Sequence, residues 1–249
     1  MKGSKSILLW LVGLCLWIVL LSLGQREQPL IKGDKYHIEF INRPLNSFIS
    51  KEEMAKELEI LRLSSETSGL KEINIQLLEV SLDNHPSIKK SEVYSDLDGT
   101  LNIEIWQHQP LARLMTAKRS DYLISNGELM PLSSHFSEQV PLVTGPLAFH
   151  QKKEIAAFWQ VLATKDELKN IFSGLHCMAD SNWVLYPVKG DYRVELGKAK
   201  NIEAKLENLK NFFKFSGKMK DIHKLESINL EFNNQVICRK KQIIRTKLR

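Results

Sequence analysis

The sequence predicts an α+β chain in three parts: a single N-terminal transmembrane helix, a small α/β module, and a mostly antiparallel β-domain with flanking helices. Three observations predict it. Residues 7–23 form a run of seventeen uncharged positions in which Ser22 is the one hydroxyl. From Tyr36 to His108, local patterns follow in the order strand, helix, helix, strand, strand. Beyond Gln109, short alternating runs separated by turn residues enclose two amphipathic helical stretches. Composition agrees, since 43% hydrophobic and 26% charged residues in 249 fall within the range of folded globular chains.

The apolar run makes a helix about 26 Å long, at the short end of what spans a bilayer core. As a cleaved signal it would use Lys2 and Lys5 as its basic region and Ser22-Leu23-Gly24 as the cleavage site. Signal cores usually stop at about 7–15 residues, and this run is longer and carries Trp10 and Trp17. It therefore reads as an uncleaved anchor, residues 7–24, behind a cytoplasmic head, residues 1–6. The polar remainder is exported. Residues 25–35, punctuated by Pro29 and Gly33, read as a linker.

The small module spans residues 36–108. Tyr36 to Phe40 alternates as a strand. Ser50-Lys51-Glu52-Glu53 is a capping box, in which Ser50 and Glu53 each satisfy a free amide of the other's backbone. Met54, Leu58 and Leu61 follow as the buried stripe of the first helix. Leu70, Ile73, Leu77 and Val80 predict a second buried stripe, ended by Pro86. Ile88 to Ser95 reads as a strand, Asp96 to Gly99 as a turn, and Leu101, Ile103 and Ile105 as the apolar face of a further strand.

The β-domain spans residues 109–240. Leu111 to Thr116 and Tyr122 to Ser125 read as strands, Asn126-Gly127 as a hairpin turn, and Val140 to Pro146 as an extended segment. Ile155, Phe158, Trp159 and Leu162 predict a helix, and Trp183 to Val188 with Tyr192 to Leu196 a hairpin. Asn201 is placed to cap a helix that buries Ile202, Leu206, Leu209 and Phe213 and leaves Lys205, Glu207, Lys210 and Lys214 outside. Ser227 to Phe232, an Asn233-Asn234 turn, and Gln235 to Lys240 close the domain.

Net charge is +6, but the last eleven residues hold six basic side chains and no acid, so the rest of the chain is balanced. Residues 241–249 form a basic tail, and a nucleic-acid-binding body is excluded. Asp96-Leu97-Asp98-Gly99-Thr100 matches the DxDGT pattern of haloacid-dehalogenase-type phosphotransferases. The preceding run is mixed and the following one is a strand, so a β-turn fits better. The seven His are scattered, and there is no HExxH, GxSxG, Walker loop or SxxK. No catalytic, cofactor or metal site is expected, and no small-molecule substrate. Cys177 and Cys238 are either a disulfide or two separate thiols; the sequence leaves both open.

Three stretches stand out by their order and spacing. The first is Asn84-His85-Pro86-Ser87-Ile88 through Gly99 to Ile105 and Pro110-Leu111-Ala112-Arg113. The second is Tyr122 to Gly127 followed by Val140 to Gly145. The third is Val194-Glu195-Leu196-Gly197, then Ala204-Lys205-Leu206, then Ile228-Asn229-Leu230-Glu231-Phe232. Together they resemble the bacterial cell-division family FtsQ/DivIB. Two sites depart from the family's pattern. Gln107-His108 stands where Glu-Arg is common, and Asn229 and Glu231 stand where Asp and Arg are common, which reverses the charge at 231.

The resemblance implies a POTRA-like fold for the small module and a non-enzymatic scaffold of the divisome, with a single pass through the inner membrane and its bulk periplasmic. It implies partners of the FtsB/FtsL type, bound at Phe232, Asn233, Asn234, Gln235, Val236, Ile237, Cys238 and Arg239 by addition of a strand. Phe232 reads either as an apolar anchor for the partner or as a core residue in step with Ile228 and Leu230. An alternative is a POTRA-bearing transport or secretion accessory protein of the envelope, which would require a membrane β-barrel or many lipid-facing strands.

Overall fold

The structure is a computed structural model that describes residues 10, 14, 17, 35–42, 45–67, 74–97, 99–216, 222–232 and 235–242, with backbone alone for 61–67 and 216. The expected anchor falls almost wholly outside these residues. Among them, no helix is long and apolar enough to cross a membrane.

Tyr36–Phe40 (β1), Ile88–Ser95 (β2) and Leu101–Gln107 (β3) form a three-stranded sheet in the order β1-β3-β2, with β1 parallel and β2 antiparallel to β3. Leu101, Ile103, Ile105 and Gln107 alternate inward from β3, as period-two patterning requires. Helices α1 (Lys51–Thr67) and α2 (Ile75–Asp83) complete this module. The capping box forms: Glu53 N–H donates to Ser50 Oγ at 3.0 Å and Ser50 N–H donates to Glu53 Oε2 at 3.3 Å. Met54 and Leu58 are buried as expected, and the Leu61 side chain lies outside the described set.

The second helix needs correction. Leu77 is 64% exposed and Val80 55%, while Leu78 and Leu82 are buried; Leu70 and Ile73 lie outside the described residues. The run Leu77-Leu78-Glu79-Val80-Ser81-Leu82 holds two apolar stripes one position apart, and a nine-residue helix can bury only one. Asn74 caps the helix by accepting the Leu77 N–H at 3.1 Å, and the seat of the helix on β2 buries Leu78 and Leu82 with Ile88 and Val93. Asp98 of the DxDGT segment lies outside the described residues, and the residues on either side of it turn between paired strands. Gly99, at φ +84°, donates to Asp96 O at 3.0 Å, and Asp96 N–H donates to Thr100 O at 2.9 Å.

The second sheet contains β4 (Ala112–Met115), β5 (Ser120–Leu123), β6 (Leu129–Pro131), β7 (Leu142–Thr144), β8 (Phe172–Cys177), β9 (Asn182–Pro187), β10 (Arg193–Lys198), β11 (Leu225–Asn229) and β12 (Ile237–Lys240). Their order is β12-β11-β10-β9-β8-β7-β4-β5-β6. Five pairings are antiparallel and three, at β4/β7, β7/β8 and β10/β11, are parallel. Helix α3 (Lys152–Ala163) crosses from β7 to β8, and α4 (Ile202–Ser216) from β10 to β11. Ile155, Phe158, Trp159 and Leu162 of α3 and Leu206 and Leu209 of α4 share one core with Trp183, Leu185, Val194 and Ile228.

A third, smaller core joins the two sheets. Phe48, from the loop before α1, packs with Tyr122, Ile124 and Met130, its ring 5.6 Å from Tyr122 and 5.5 Å from Phe136. Ser133 Oγ donates to Phe48 O, and His135 Nε2 lies 3.0 Å from Glu53 Oε2. Gln107 is fully buried beneath this loop. Its Oε1 accepts the Phe48 N–H at 2.7 Å and its Nε2 donates to Ser47 Oγ at 2.8 Å.

Candidate partner-binding edge

β12 stands at one end of the nine-stranded sheet, and among the described residues no strand pairs with its outer side. Asn229 opposes Ile237, Ile228 opposes Cys238 and Ser227 opposes Arg239. Lys241 N–H donates to Lys224 O at 2.9 Å, which sets the phase of the backbone. In an antiparallel pair, alternate residues bond inward and outward. Ile237 and Arg239 therefore turn their backbone groups toward β11, and Cys238 and Lys240 turn theirs away. All four side chains are exposed, with Ile237 and Arg239 on one face of the strand and Cys238 and Lys240 on the other.

The lead-in to this strand overturns the core reading of Phe232. Ile228 and Leu230 are buried, but the alternation stops there, and Phe232 is 54% exposed. It is a surface residue. Gln235 is exposed, Val236 packs at the margin of the main core, and Asn233 and Asn234 lie outside the described residues. Cys177 and Cys238 are both free thiols, one buried and one exposed, so the disulfide is not formed. Burial pushes the Cys177 thiol up to about 12, which keeps it protonated and inert.

The support beneath the edge comes from a residue that its type places elsewhere. Lys205 does not lie on the outer face of α4. It is buried, and its Nζ donates to Leu196 O at 2.6 Å and Lys198 O at 2.9 Å. Those carbonyls flank a bulge in β10, where pairing with β9 shifts register between Glu195 and Gly197. A bulge disrupts the ladder locally, and the ammonium satisfies two acceptors there. Gly197 sits at φ +65°, and a Cβ there would come within 2.9 Å of the Glu231 side chain. Burial lowers the Lys205 pKa, and Glu231 opposes this with its charge.

A groove of about 510 Å³ crosses the strands behind the edge; His176, Tyr186, Arg193, Glu195, Asn229 and Glu231 are among its lining. Several of its side chains are bonded to neighbours. Arg193 Nε donates to Glu195 Oε1 at 2.9 Å, Asn229 Nδ2 donates to Glu195 Oε2 at 3.1 Å, and His176 Nδ1 lies 2.8 Å from Thr144 Oγ1. Among the described residues, no three His, Cys, Asp or Glu side chains gather as a metal site.

The sequence family described as FtsQ/DivIB, C-terminal related, matches residues 109–239, more than half of the chain, and a POTRA-like domain matches residues 33–106. The chain belongs to the FtsQ/DivIB family. That family is one of cell-division proteins with a scaffolding role, and the mixed α/β fold with its large sheet and POTRA-like domain accords with it. No curated protein matches the chain. Among solved structures, the chain is similar to the major extracytoplasmic domain of the trans isomer of the bacterial cell division protein DivIB from Geobacillus stearothermophilus. Identity is 15%, coverage is 47% of this chain and 97% of that one, and the TM-score is 0.32. The FtsQ/DivIB assignment rests on the match over 109–239 alone.

One residue beneath this edge is not singled out for it by the sequence. Lys205 is signalled only by Gly197, which follows an alternating run and marks a bulge whose carbonyls need a donor.

Proposed function

We propose that this chain is a membrane-anchored divisome protein with no catalysis of its own. Residues 7–24 span the inner membrane, the head is cytoplasmic, and both sheets are periplasmic. It holds division proteins of the FtsB/FtsL type during septal wall synthesis by accepting a strand at β12. The observation that carries the reading is the outward backbone of Cys238 and Lys240, at the end of a sheet that the family match covers. An edge of this kind offers a row of donors and acceptors that an added strand satisfies, and alternate side chains then set specificity. Phe232 and Ile237 supply exposed apolar anchors beside it.

The test uses the full chain with co-expressed FtsB/FtsL-type partners. Cys238→Pro removes an outward N–H and no bond to β11, so the protein folds and capture is lost; retained capture overturns the edge reading. In a Cys15→Ser background, Cys238 labels readily with maleimide, Cys177 does not, and bound partner protects Cys238. Depletion leaves cells as undivided filaments, and normal division would count against the division role.

A further inference from the structure

β2 is also the end strand of its sheet, since the order is β1-β3-β2. Its register with β3 places Ser91 opposite Ile105 and Val93 opposite Ile103. The amides of these two residues are taken on the side away from β3. Ser91 N–H donates to Asp83 Oδ1 at 2.6 Å, and Val93 N–H donates to Glu79 Oε1 at 2.9 Å. Ser91 Oγ adds a second bond to Asp83 Oδ1 at 2.8 Å and a longer one to Glu79 O at 3.4 Å. Both acids come from α2, four residues apart, so one helix turn spans the two-residue repeat of the strand.

These carboxylates occupy the place that carbonyls of a neighbouring strand would take. Hydrogen bonds from backbone N–H to an ionised carboxylate are shorter and stronger than amide–carbonyl bonds, so the substitution outcompetes an ordinary added strand. The edge beneath them is well suited to self-pairing. An antiparallel pair of β2 strands centred on Ser91 would set Lys90 of one copy opposite Glu92 of the other, twice, by symmetry. Opposite charges directly across two strands are favourable. Within one copy, Lys90 and Glu92 already pair with each other on the exposed face.

We infer that Glu79 and Asp83 are a side-chain lock on β2: they stand in for a neighbouring strand at Ser91 and Val93 and keep the edge from pairing with β2 of a second copy of this chain. The inference is independent of what binds β12. A long, alternating edge strand left open is an association hazard, and covering it with side chains from a flanking helix is one way to remove the hazard.

The experiment compares the full chain in mild detergent with its Glu79→Ala/Asp83→Ala variant, by hydrogen exchange and sedimentation velocity. Exchange at the Ser91 and Val93 amides is expected to accelerate about tenfold or more, as a local rather than global opening. The variant is expected to show a dimer that the parent does not. Adding Lys90→Glu should abolish that dimer, and adding Glu92→Lys as well should restore it. Glu79→Gln/Asp83→Asn keeps an oxygen acceptor at each position and controls for folding; it should stay monomeric. Unchanged exchange in the Ala variant, or a variant that remains monomeric with both amides freed, overturns the lock. A dimer indifferent to the charge at position 90 overturns the β2 register.

Discussion

β2 and β12 end their sheets in opposite ways. At β2 the outward amides of Ser91 and Val93 are bonded to Asp83 and Glu79 of the adjacent helix. At β12 no described residue plays that part for Cys238 or Lys240, and every side chain of the strand is exposed. The closed edge belongs to an eight-residue strand with alternating burial, the kind that would pair with little discrimination. The open edge is four residues long and strongly basic. Of these two ends, the open one is the short, basic strand, and the longer strand is covered.

Matched proline substitutions give the largest test of this contrast, because Pro deletes one N–H at either edge. Ser91→Pro orphans a carboxylate, so thermal unfolding should show a loss of about 2–4 kcal/mol. Cys238→Pro deletes an N–H that faces water, so the loss of stability should stay under about 1 kcal/mol while partner capture disappears. Equal stability losses at the two sites would erase the distinction between the edges.

Next in size is the support behind the open edge. Lys205→Met should cost about 1–3 kcal/mol, because Leu196 O and Lys198 O lose their donor. The pH dependence has a definite sign. Burial lowers the Lys205 pKa from 10.5, so the unfolded chain holds the proton more tightly than the folded one. Stability therefore rises as pH climbs from the lowered folded value toward 10.5, and the Met variant lacks that rise. Denaturant titrations at pH 7 and pH 10 check both the cost and the slope. A variant whose deficit shrinks on going to high pH would contradict the sign.

The smallest effect belongs to the tail. Deleting residues 243–249 removes Arg245, Lys247 and Arg249 but spares the Lys241 contacts with Lys224 and Asp191. Association with a partner should slow only severalfold, and only at low ionic strength, where charge steers encounter. A salt-independent loss would mean that the tail contributes direct contacts.

Much of the fold was legible because local chemistry and burial agree. Ser50 and Glu53 close a capping box read from spacing alone, and Leu101, Ile103 and Ile105 alternate inward as written. Where the reading failed, two local patterns competed or a residue type misled. Leu77 and Val80 formed as good a stripe as Leu78 and Leu82, and only the seat of α2 on β2 chose between them. Lys205 reads as solvent-facing until the bulge at Gly197 exposes carbonyls that need it. The lock at β2 joins residues eight and fourteen positions apart through backbone amides, a relation that composition and periodicity do not encode.

The seat of Phe48 has a mechanical consequence. A ring held among Tyr122, Ile124, Met130 and Phe136, with its backbone N–H bonded to buried Gln107 and its carbonyl to Ser133, resists both sliding and rotation of one sheet against the other. A pull on either sheet is shared with the other through this one aromatic seat, and Phe48→Ala should loosen the coupling between them.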